Sequence, residues 1–457
     1  MDYDLVVIGA GAAGLGAARA GRRRGASVAV VADGPIGGEC TFVGCVPSKT
    51  LIEAARAGES FEAAMKRVRA TVDDVAATES AQVLRAEGID VIEARAALAG
   101  PGRVSVDGRS VGYRRLVLAT GTAPAIPPVP GLDESRVLTN QNVFDLAARP
   151  ASLLVLGGGP IGVELAQAFA RLGTVVKVVE GDRRLLPREE PEASALVADA
   201  LVADGVEVHA GSKVRSVEHS GGGARLVLED GTSLLGERIL VAAGRRPRSG
   251  DLGLDEQGVA TDGRGYIVTD RHLRTNVAGI YAAGDVTGRP AFTHAADEMG
   301  RLAANNVLSR VPYRTFSESA LPAVTFTDPE VARVGVTEDT AAATVRGARV
   351  AYVPLREVDR AVTAGRTDGY IKLIAGPRRL TGGLAGGRLV GATVVAVHAG
   401  EMIAVPTLAM RSGMTPARVA LTVQAYPTWT LGVRQAAALF FVESAGRRWR
   451  PARPSGR

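Results

Sequence analysis

Cysteine is nearly absent from this chain of 457 residues: there are two, Cys40 and Cys45. Two cannot build the disulfide framework of a small secreted domain. In a reducing compartment such a close pair is more often catalytic than structural. Aromatic residues are scarce too, 9 Phe, 8 Tyr and 2 Trp, which argues against an extensive base-stacking surface. Lysine is rare: five of the 54 basic residues are Lys, so Lys49 stands out. No run is long and apolar enough to span a bilayer. The most membrane-like window, Leu389 to Met410, contains His398, Glu401 and Pro406 and reads as a buried strand followed by a helix. The N-terminus lacks the order of a secretion signal, because Asp2 and Asp4 open it and Arg22 to Arg24 follow the apolar run. Net charge is mild, 54 − 48 = +6. Part of it sits in Arg447, Arg448, Arg450, Arg453 and Arg457, which read as a solvated, disordered tail over 446–457. These absences predict a cytoplasmic protein with no nucleic-acid and no membrane partner.

What is present is ordinary globular composition, 46% hydrophobic and 22% charged, with a high 56 Gly. At about 150 residues per domain the length suggests roughly three domains. Leu5 to Ile8 is a short apolar run, followed by Gly9, Gly11 and Gly14 in the pattern G-x-G-x-x-G, an Ala- and Arg-rich helix, and a second apolar run at Ser27 to Val31. Such glycines allow a tight turn and let backbone N–H groups approach a pyrophosphate on a helix N-terminus. The unit recurs: Leu153 to Leu156, then Gly157, Gly159 and Gly162, a helix, and Val175 to Val179 ending at Glu180. One such pattern is weak evidence; two, each between strand and helix, predict two dinucleotide sites. Ala119-Thr120-Gly121 and Ala242-Ala243-Gly244 end two further apolar strands and look like matching exits. The stretch 124–130, with four prolines, reads as a linker, and Thr50 to Ala81 should be helical. From about Leu321 strands and helices continue without a glycine pattern, suggesting a third domain.

The stretch Gly37-Gly38-Glu39-Cys40-Thr41-Phe42-Val43-Gly44-Cys45-Val46-Pro47-Ser48-Lys49 resembles the redox site of the flavin-dependent pyridine nucleotide–disulfide oxidoreductases. That family includes dihydrolipoamide dehydrogenase, glutathione reductase and mercuric reductase. Thr275-x4-Ile280-Tyr281-Ala282-Ala283-Gly284-Asp285 is similar to its second flavin motif. Thr325-Phe326-Thr327-Asp328-Pro329-Glu330-Val331-Ala332 is similar to the start of its dimerisation domain. The resemblance runs to about residue 445. It implies an α/β fold with two Rossmann-like domains, for FAD (1–150 and 268–318) and NAD(P) (151–267), and an α+β dimerisation domain (319–445). It also implies bound FAD, NADH or NADPH as donor, and a homodimer whose active site draws on both subunits.

The resemblance assigns roles. Cys45 faces the flavin as the charge-transfer thiolate and Cys40 is the interchange thiol. Lys49 pairs with Glu164 near flavin N5. Asp285 fixes the ribityl–pyrophosphate region, with N-cap of the following helix as the structural alternative. Thr120, Gly121, Thr293 and Gly244 join the glycines in the cofactor-binding set. The residues add constraints. Five residues of ideal helix advance about 7.5 Å, whereas a disulfide needs Cα atoms within about 7 Å, so the helix must depart from regularity, plausibly at Gly44. A helix starting near Cys45 would stabilise a thiolate there. Glu180, ending its strand, favours ribose hydroxyls and hence NADH; Arg183 and Arg184 could serve a 2′-phosphate instead.

Three departures stand out. Ala32 occupies the family's ribose-binding acid position, leaving Asp33 as substitute. Thr41-Phe42 replaces the usual Leu-Asn. Gln424-Ala425-Tyr426-Pro427-Thr428-Trp429-Thr430-Leu431 replaces a segment that carries two histidines and a glutamate in disulfide-reducing members. A His titrates near neutrality. Forming tyrosinate at pH 7 costs about 4 kcal/mol, so Tyr426 can donate but is a poor base. Losing general acid–base help typically costs about 10²–10⁴ in rate. The expected enzyme therefore passes electrons from NAD(P)H through flavin and thiols to a small-molecule acceptor needing little proton relay. The rivals are a mercuric reductase-like metal or quinone reductase, without that branch's extra C-terminal cysteine pair, a dihydrolipoamide dehydrogenase-like enzyme, and a flavin-bound structural subunit.

Overall fold

The run Leu5 to Ile8 becomes the buried end of the first strand, β1 (Tyr3–Ile8). The computed structural model describes residues 2–220, 222–311, 313–378 and 382–454. β1 lies parallel between β2 (Val28–Ala32) and Arg109–Leu118. All five residues of β2 are buried, as expected of a central parallel strand covered on both faces. Asp90–Glu93 pairs with β2, and Ile280–Ala282 adds in parallel to Arg109–Leu118. An antiparallel hairpin, Ala96–Leu98 with Arg103–Val106, completes this seven-stranded sheet. α1 (Ala12–Arg23) connects β1 to β2 and packs on Thr293–Val307. Small residues let the two helices meet: a Cβ on Gly300 would lie 1.9 Å from the Ala13 carbonyl. After β2 come α2 (Gly38–Phe42), α3 (Cys45–Arg56) and α4 (Phe61–Thr78), so the stretch 50–81 is helical apart from short breaks.

Contacts divide the chain into two compact units. One comprises residues 1–128, 133–149 and 240–317; the other comprises 129–132, 150–239 and 318–457. The proline-rich stretch is therefore not a single crossing. The chain returns to the first unit for 133–149, because Leu138 bridges Leu240 and because Val143 and Phe144 are buried there.

The second unit contains the repeat of the glycine unit. Its four-stranded sheet has the order Glu207–Ala210, Val175–Glu180, Ser152–Leu156, Arg238–Val241. A six-stranded antiparallel sheet follows, built on Glu330–Gly335, Arg388–Ala396, Tyr370–Gly376 and Arg349–Pro354. It has its own core, including Val353, Ile371, Leu373, Val394 and Val433. Leu389 to Met410 is a buried strand and two short helices, and no helix among the described residues is long and apolar enough to cross a membrane.

This sheet and the four-stranded sheet form one unit because one helix grips both. Pro160–Arg171 presents Glu164, Gln167 and Arg171 on one face, the spacing of successive turns. Glu164 Oε1 accepts from the Phe326 N–H at 2.8 Å, Gln167 Oε1 from the Asp328 N–H at 2.7 Å, and Arg171 Nη1 donates to Asp328 Oδ2 at 3.0 Å.

The expected disordered tail is ordered as far as it is described. Arg450–Pro451 pairs with Arg349–Pro354, Arg450 forms an ion pair with Glu338, and Arg447 Nε donates to Glu357 Oε1 at 2.9 Å. The arginines find carboxylates and Trp449 packs on the sheet's core, which outweighs their preference for water. Residues 455–457 lie outside the described residues.

Candidate active site

The cysteine pair straddles a break between two helices. α2 ends at Phe42 and α3 begins at Cys45. Val43 and Gly44 leave helical geometry between them, at φ −139° and φ −127°. Gly44 is needed for close approach: a Cβ there would lie 2.7 Å from the Glu39 carbonyl and 3.1 Å from Cys40 Cα. Asn140 Nδ2 donates to the Val43 carbonyl at 3.1 Å and holds the turn. Cys45 thus occupies the first position of α3, with no side-chain cap and no acid in the first turn to compete for the free N–H groups.

No disulfide joins the two cysteines; Cys45 is exposed and Cys40 partly covered. The sulfurs are close enough to interact. Hydrogen bonding to Cys45, reinforced by burial, pushes the Cys40 thiol well above its usual range. Thr293, at the start of its helix, reaches both: its Oγ1 lies 3.3 Å from Cys45 Sγ and donates to Cys40 Sγ at 3.2 Å. Lys49 stands one turn along α3, where Nζ donates to Ser48 Oγ at 3.4 Å.

The first glycine turn fits a dinucleotide. Gly9 takes φ +106°, and a Cβ there would meet the Ala119 carbonyl at 2.3 Å. Gly14 packs against Gly9 in the same way, at 1.9 Å from its carbonyl. Gly11 instead faces open space, its nearest neighbour being Gly38 Cα at 4.0 Å, and it begins α1 without a side-chain cap. Close packing at the first and third glycines with room at the second is what a pyrophosphate on a helix N-terminus requires. Asp33 is exposed directly after β2.

Asp285 lies half-buried beyond this turn. It does not cap the next helix, which begins eight residues later at Thr293; it opens a short 3-10 turn instead. Burial holds its carboxyl above the usual range, against the pull of Arg245 and the Thr122 hydroxyl, which donates at 3.2 Å. Arg245 Nε donates to Thr122 Oγ1 at 2.6 Å, and Arg245 also forms an ion pair with Glu39, which is joined by Arg248 at 2.8 Å. The acid immediately before Cys40 is thereby tied to the strand exit at Gly244. Thr120 Oγ1 donates to the Arg248 carbonyl at 2.6 Å, Gly121 takes φ +72°, and the Gly244 carbonyl accepts from Ala125 N–H at 3.0 Å. Half-buried acid, open glycine and uncapped helix suit the hydroxyls and phosphates of a flavin dinucleotide.

In the second unit Gly157 repeats the left-handed turn at φ +110°, and Gly159 has no atom within 4 Å of a built Cβ. Gly162 is buried on the helix that starts at Pro160. Glu180 ends its strand and accepts from the Gly158 N–H at 2.6 Å and the Asp182 N–H at 2.8 Å, so its carboxylate borders the glycine loop. Arg184 Nη2 is engaged with the Pro187 and Glu189 carbonyls at 3.0 and 3.2 Å, and Arg183 is exposed. Glu164 is buried on the same helix. Tyr426 is 70% exposed, its hydroxyl donating to Asp359 Oδ2 at 3.0 Å. That hydrogen bond and the Asp359 charge raise its pKa above the ordinary tyrosine value. Among the described residues no three His, Cys, Asp or Glu side chains gather to hold a metal ion.

The sequence reading did not find the Thr293 contact with both sulfurs or the Glu39–Arg245–Thr122–Asp285 chain. Arg245 directly after Gly244 was the available signal, but its partner is 206 residues away.

Comparison with known proteins agrees with these features. The family model described as pyridine nucleotide-disulphide oxidoreductase matches residues 3–300, and that of the family's dimerisation domain matches 321–437. A mercuric reductase of Streptomyces lividans is 37% identical over 464 residues, covering 96% of each chain. A dihydrolipoyl dehydrogenase of Thermus scotoductus is 34% identical, covering 95% of this chain and 96% of its own. Among solved structures, the HOCl-induced flavoprotein disulfide reductase RclA of Escherichia coli superposes with a TM-score of 0.87 at 28% identity, over 96% of this chain and all of that one. RclA has also been solved as a Cu(II) complex.

Proposed function

The chain belongs to the pyridine nucleotide–disulphide oxidoreductases, and from that premise we propose that it is an NADH-driven reductase of a small acceptor needing little proton relay, a metal ion foremost. It is an FAD-dependent NAD(P)H oxidoreductase with a redox-active disulfide, and its dimerisation domain makes it a homodimer. Bound FAD supplies a two-electron carrier that accepts hydride from the nicotinamide. The residues at Gly9, Gly11, Gly14, Thr120, Gly121 and Asp285 would hold it, with Asp33 the acid nearest its adenosine ribose. Glu180 orients the NADH ribose hydroxyls, and its charge opposes a 2′-phosphate. Arg184, spent on two carbonyls, supports the same preference.

Cys45 receives electrons at the N-terminus of α3, where free N–H groups favour its thiolate. Cys40 faces the acceptor. Lys49, one turn after Cys45, supplies a positive charge that favours the reduced carrier. Tyr426, its proton held by Asp359, lines the acceptor side across the dimer.

The observation that carries the choice of acceptor is Tyr426 itself. Its raised pKa keeps it protonated at neutral pH, so it cannot take the proton that a disulfide exchange must lose and regain. Metal-ion reduction has no such requirement. The test is steady-state turnover of the purified protein with NADH and NADPH against lipoamide, glutathione disulfide, Hg(II), Cu(II) and quinones. NADH with a metal ion should give the highest kcat/KM. Fast turnover with lipoamide would overturn the reading.

A further inference from the structure

A dithiol site without a histidine must keep its proton somewhere. Hydride equivalents arriving from NADH break the S–S bond and leave one S–H and one S⁻, since a hydride carries two electrons and one proton. In disulfide reductases with a histidine in the C-terminal segment, that base holds the mobile proton. Here the segment offers Tyr426, which is already donating to Asp359. One group does touch both sulfurs. Thr293 Oγ1 is 3.3 Å from Cys45 Sγ and 3.2 Å from Cys40 Sγ, and a hydroxyl has one proton and two lone pairs.

We propose that Thr293 is a catalytic residue, holding the single negative charge of the opened pair and relaying its proton between the two sulfurs. The hydroxyl accepts from whichever sulfur carries hydrogen and donates to the thiolate. If Cys40 passes its proton to Oγ1 while Oγ1 passes its own to Cys45, the thiolate moves from Cys45 to Cys40. No proton enters or leaves, and the hydroxyl ends reversed. Cys40 thereby becomes the nucleophile without an external base. The position is fixed: Thr293 opens a fifteen-residue helix packed on α1, the helix of the first glycine turn.

Other charged groups near the pair are engaged elsewhere. Glu39 on α2 is bound to Arg245 and Arg248. Glu79, after α4, accepts from the Thr41 hydroxyl at 3.2 Å. Lys49 lies a turn further along α3 and donates to Ser48. His294 is exposed and stacks on Phe292 with ring centres 5.4 Å apart. The inference rests on the redox role given above to Cys40 and Cys45.

The test compares the parent holoenzyme with Thr293→Val, Thr293→Ala and Thr293→Ser. Each is reduced with a phosphine and alkylated with iodoacetamide across a pH series, and Cys40 and Cys45 are followed separately by peptide mass spectrometry. Losing one donor to a charged acceptor reduces the thiolate population by about 10- to 100-fold. Thr293→Val, nearly isosteric, should slow alkylation at neutral pH by at least about tenfold, and Thr293→Ala should do the same. Thr293→Ser should remain within about twofold of the parent. The NADH-induced long-wavelength absorbance of Thr293→Val should appear only at higher pH. A Val or Ala variant with the parent's alkylation profile, or a Ser variant as slow as Val, overturns the proposal. A parent in which NADH exposes no new thiols would sink the redox reading itself. That outcome is distinct from normal exposure with an unmoved variant profile, which sinks only the role of the hydroxyl.

Discussion

Replacing Lys372 by methionine would remove one charge from a place where water cannot compensate. Lys372 lies within the strand Tyr370–Gly376 and is 1% exposed. Its Nζ is 3.2 Å from Glu190 Oε2, 2.9 Å from Glu192 Oε1 and 3.1 Å from Glu338 Oε2. Glu192 is half in water and loses little when its partner goes. Glu338 keeps Arg450. The loss therefore falls on Glu190, as buried as the lysine itself. Methionine retains most of the unbranched stem, so packing changes little. Stranding one member of a buried pair costs about 3–5 kcal/mol. For a unit of this size that is roughly 6–20 °C in Tm. The pH dependence has a definite sign. Burial already holds the Glu190 carboxyl above its usual range despite the attraction of Lys372, and without the lysine it rises further. A raised carboxyl binds its proton more tightly in the folded state, so its contribution is full below the ordinary carboxylate pKa and is lost as pH rises through the folded value. The deficit of Lys372→Met should therefore narrow on acidification, and adding Glu190→Gln should recover part of it. Guanidinium unfolding of the flavin-loaded protein at neutral and mildly acidic pH reads both effects. A variant within about 0.5 kcal/mol of the parent at neutral pH, or a deficit that widens in acid, would refute the reasoning.

Gly44→Ala should cost about 1–3 kcal/mol, since its Cβ would meet the Glu39 carbonyl at 2.7 Å, and should slow closure of the Cys40–Cys45 disulfide. Thiol titration after one equivalent of oxidant measures this, and an unchanged rate counts against the glycine's role. Glu180→Ala should raise KM for NADH by about tenfold and narrow the preference over NADPH, which steady-state kinetics with both nucleotides checks. Tyr426→Phe should leave the pH profile of kcat/KM superimposable on the parent's below pH 10, because Asp359 keeps the phenol protonated there; a lost ionisation near neutrality would make Tyr426 a base after all.

Local signals were legible and distant partnerships were not. Each glycine turn, and the cysteine pair with its helix break at Gly44, is built from residues a few positions apart, so spacing alone exposes it. Thr293 lies 253 residues from Cys40, and nothing in its own neighbourhood points to a sulfur. Asp285 looked able to cap a helix because one follows soon, yet the intervening turn carries the chain past it. The arginine-rich tail read as solvated because composition counts charges without showing the carboxylates of Glu338 and Glu357 that bind them. Lys372 shows the same limit. A lysine within an apolar strand gives no hint that three acids from two other segments surround it.

The ladder formed by Glu164, Gln167 and Arg171 on Phe326 and Asp328 has a mechanical consequence. The helix that carries these rungs begins at the loop where a nucleotide's phosphates would rest. Within this unit a push on the phosphate loop cannot be absorbed by sliding over the antiparallel sheet. It arrives there as a torque, so seating of the donor and posture of the interface sheet are transmitted through one stiff lever.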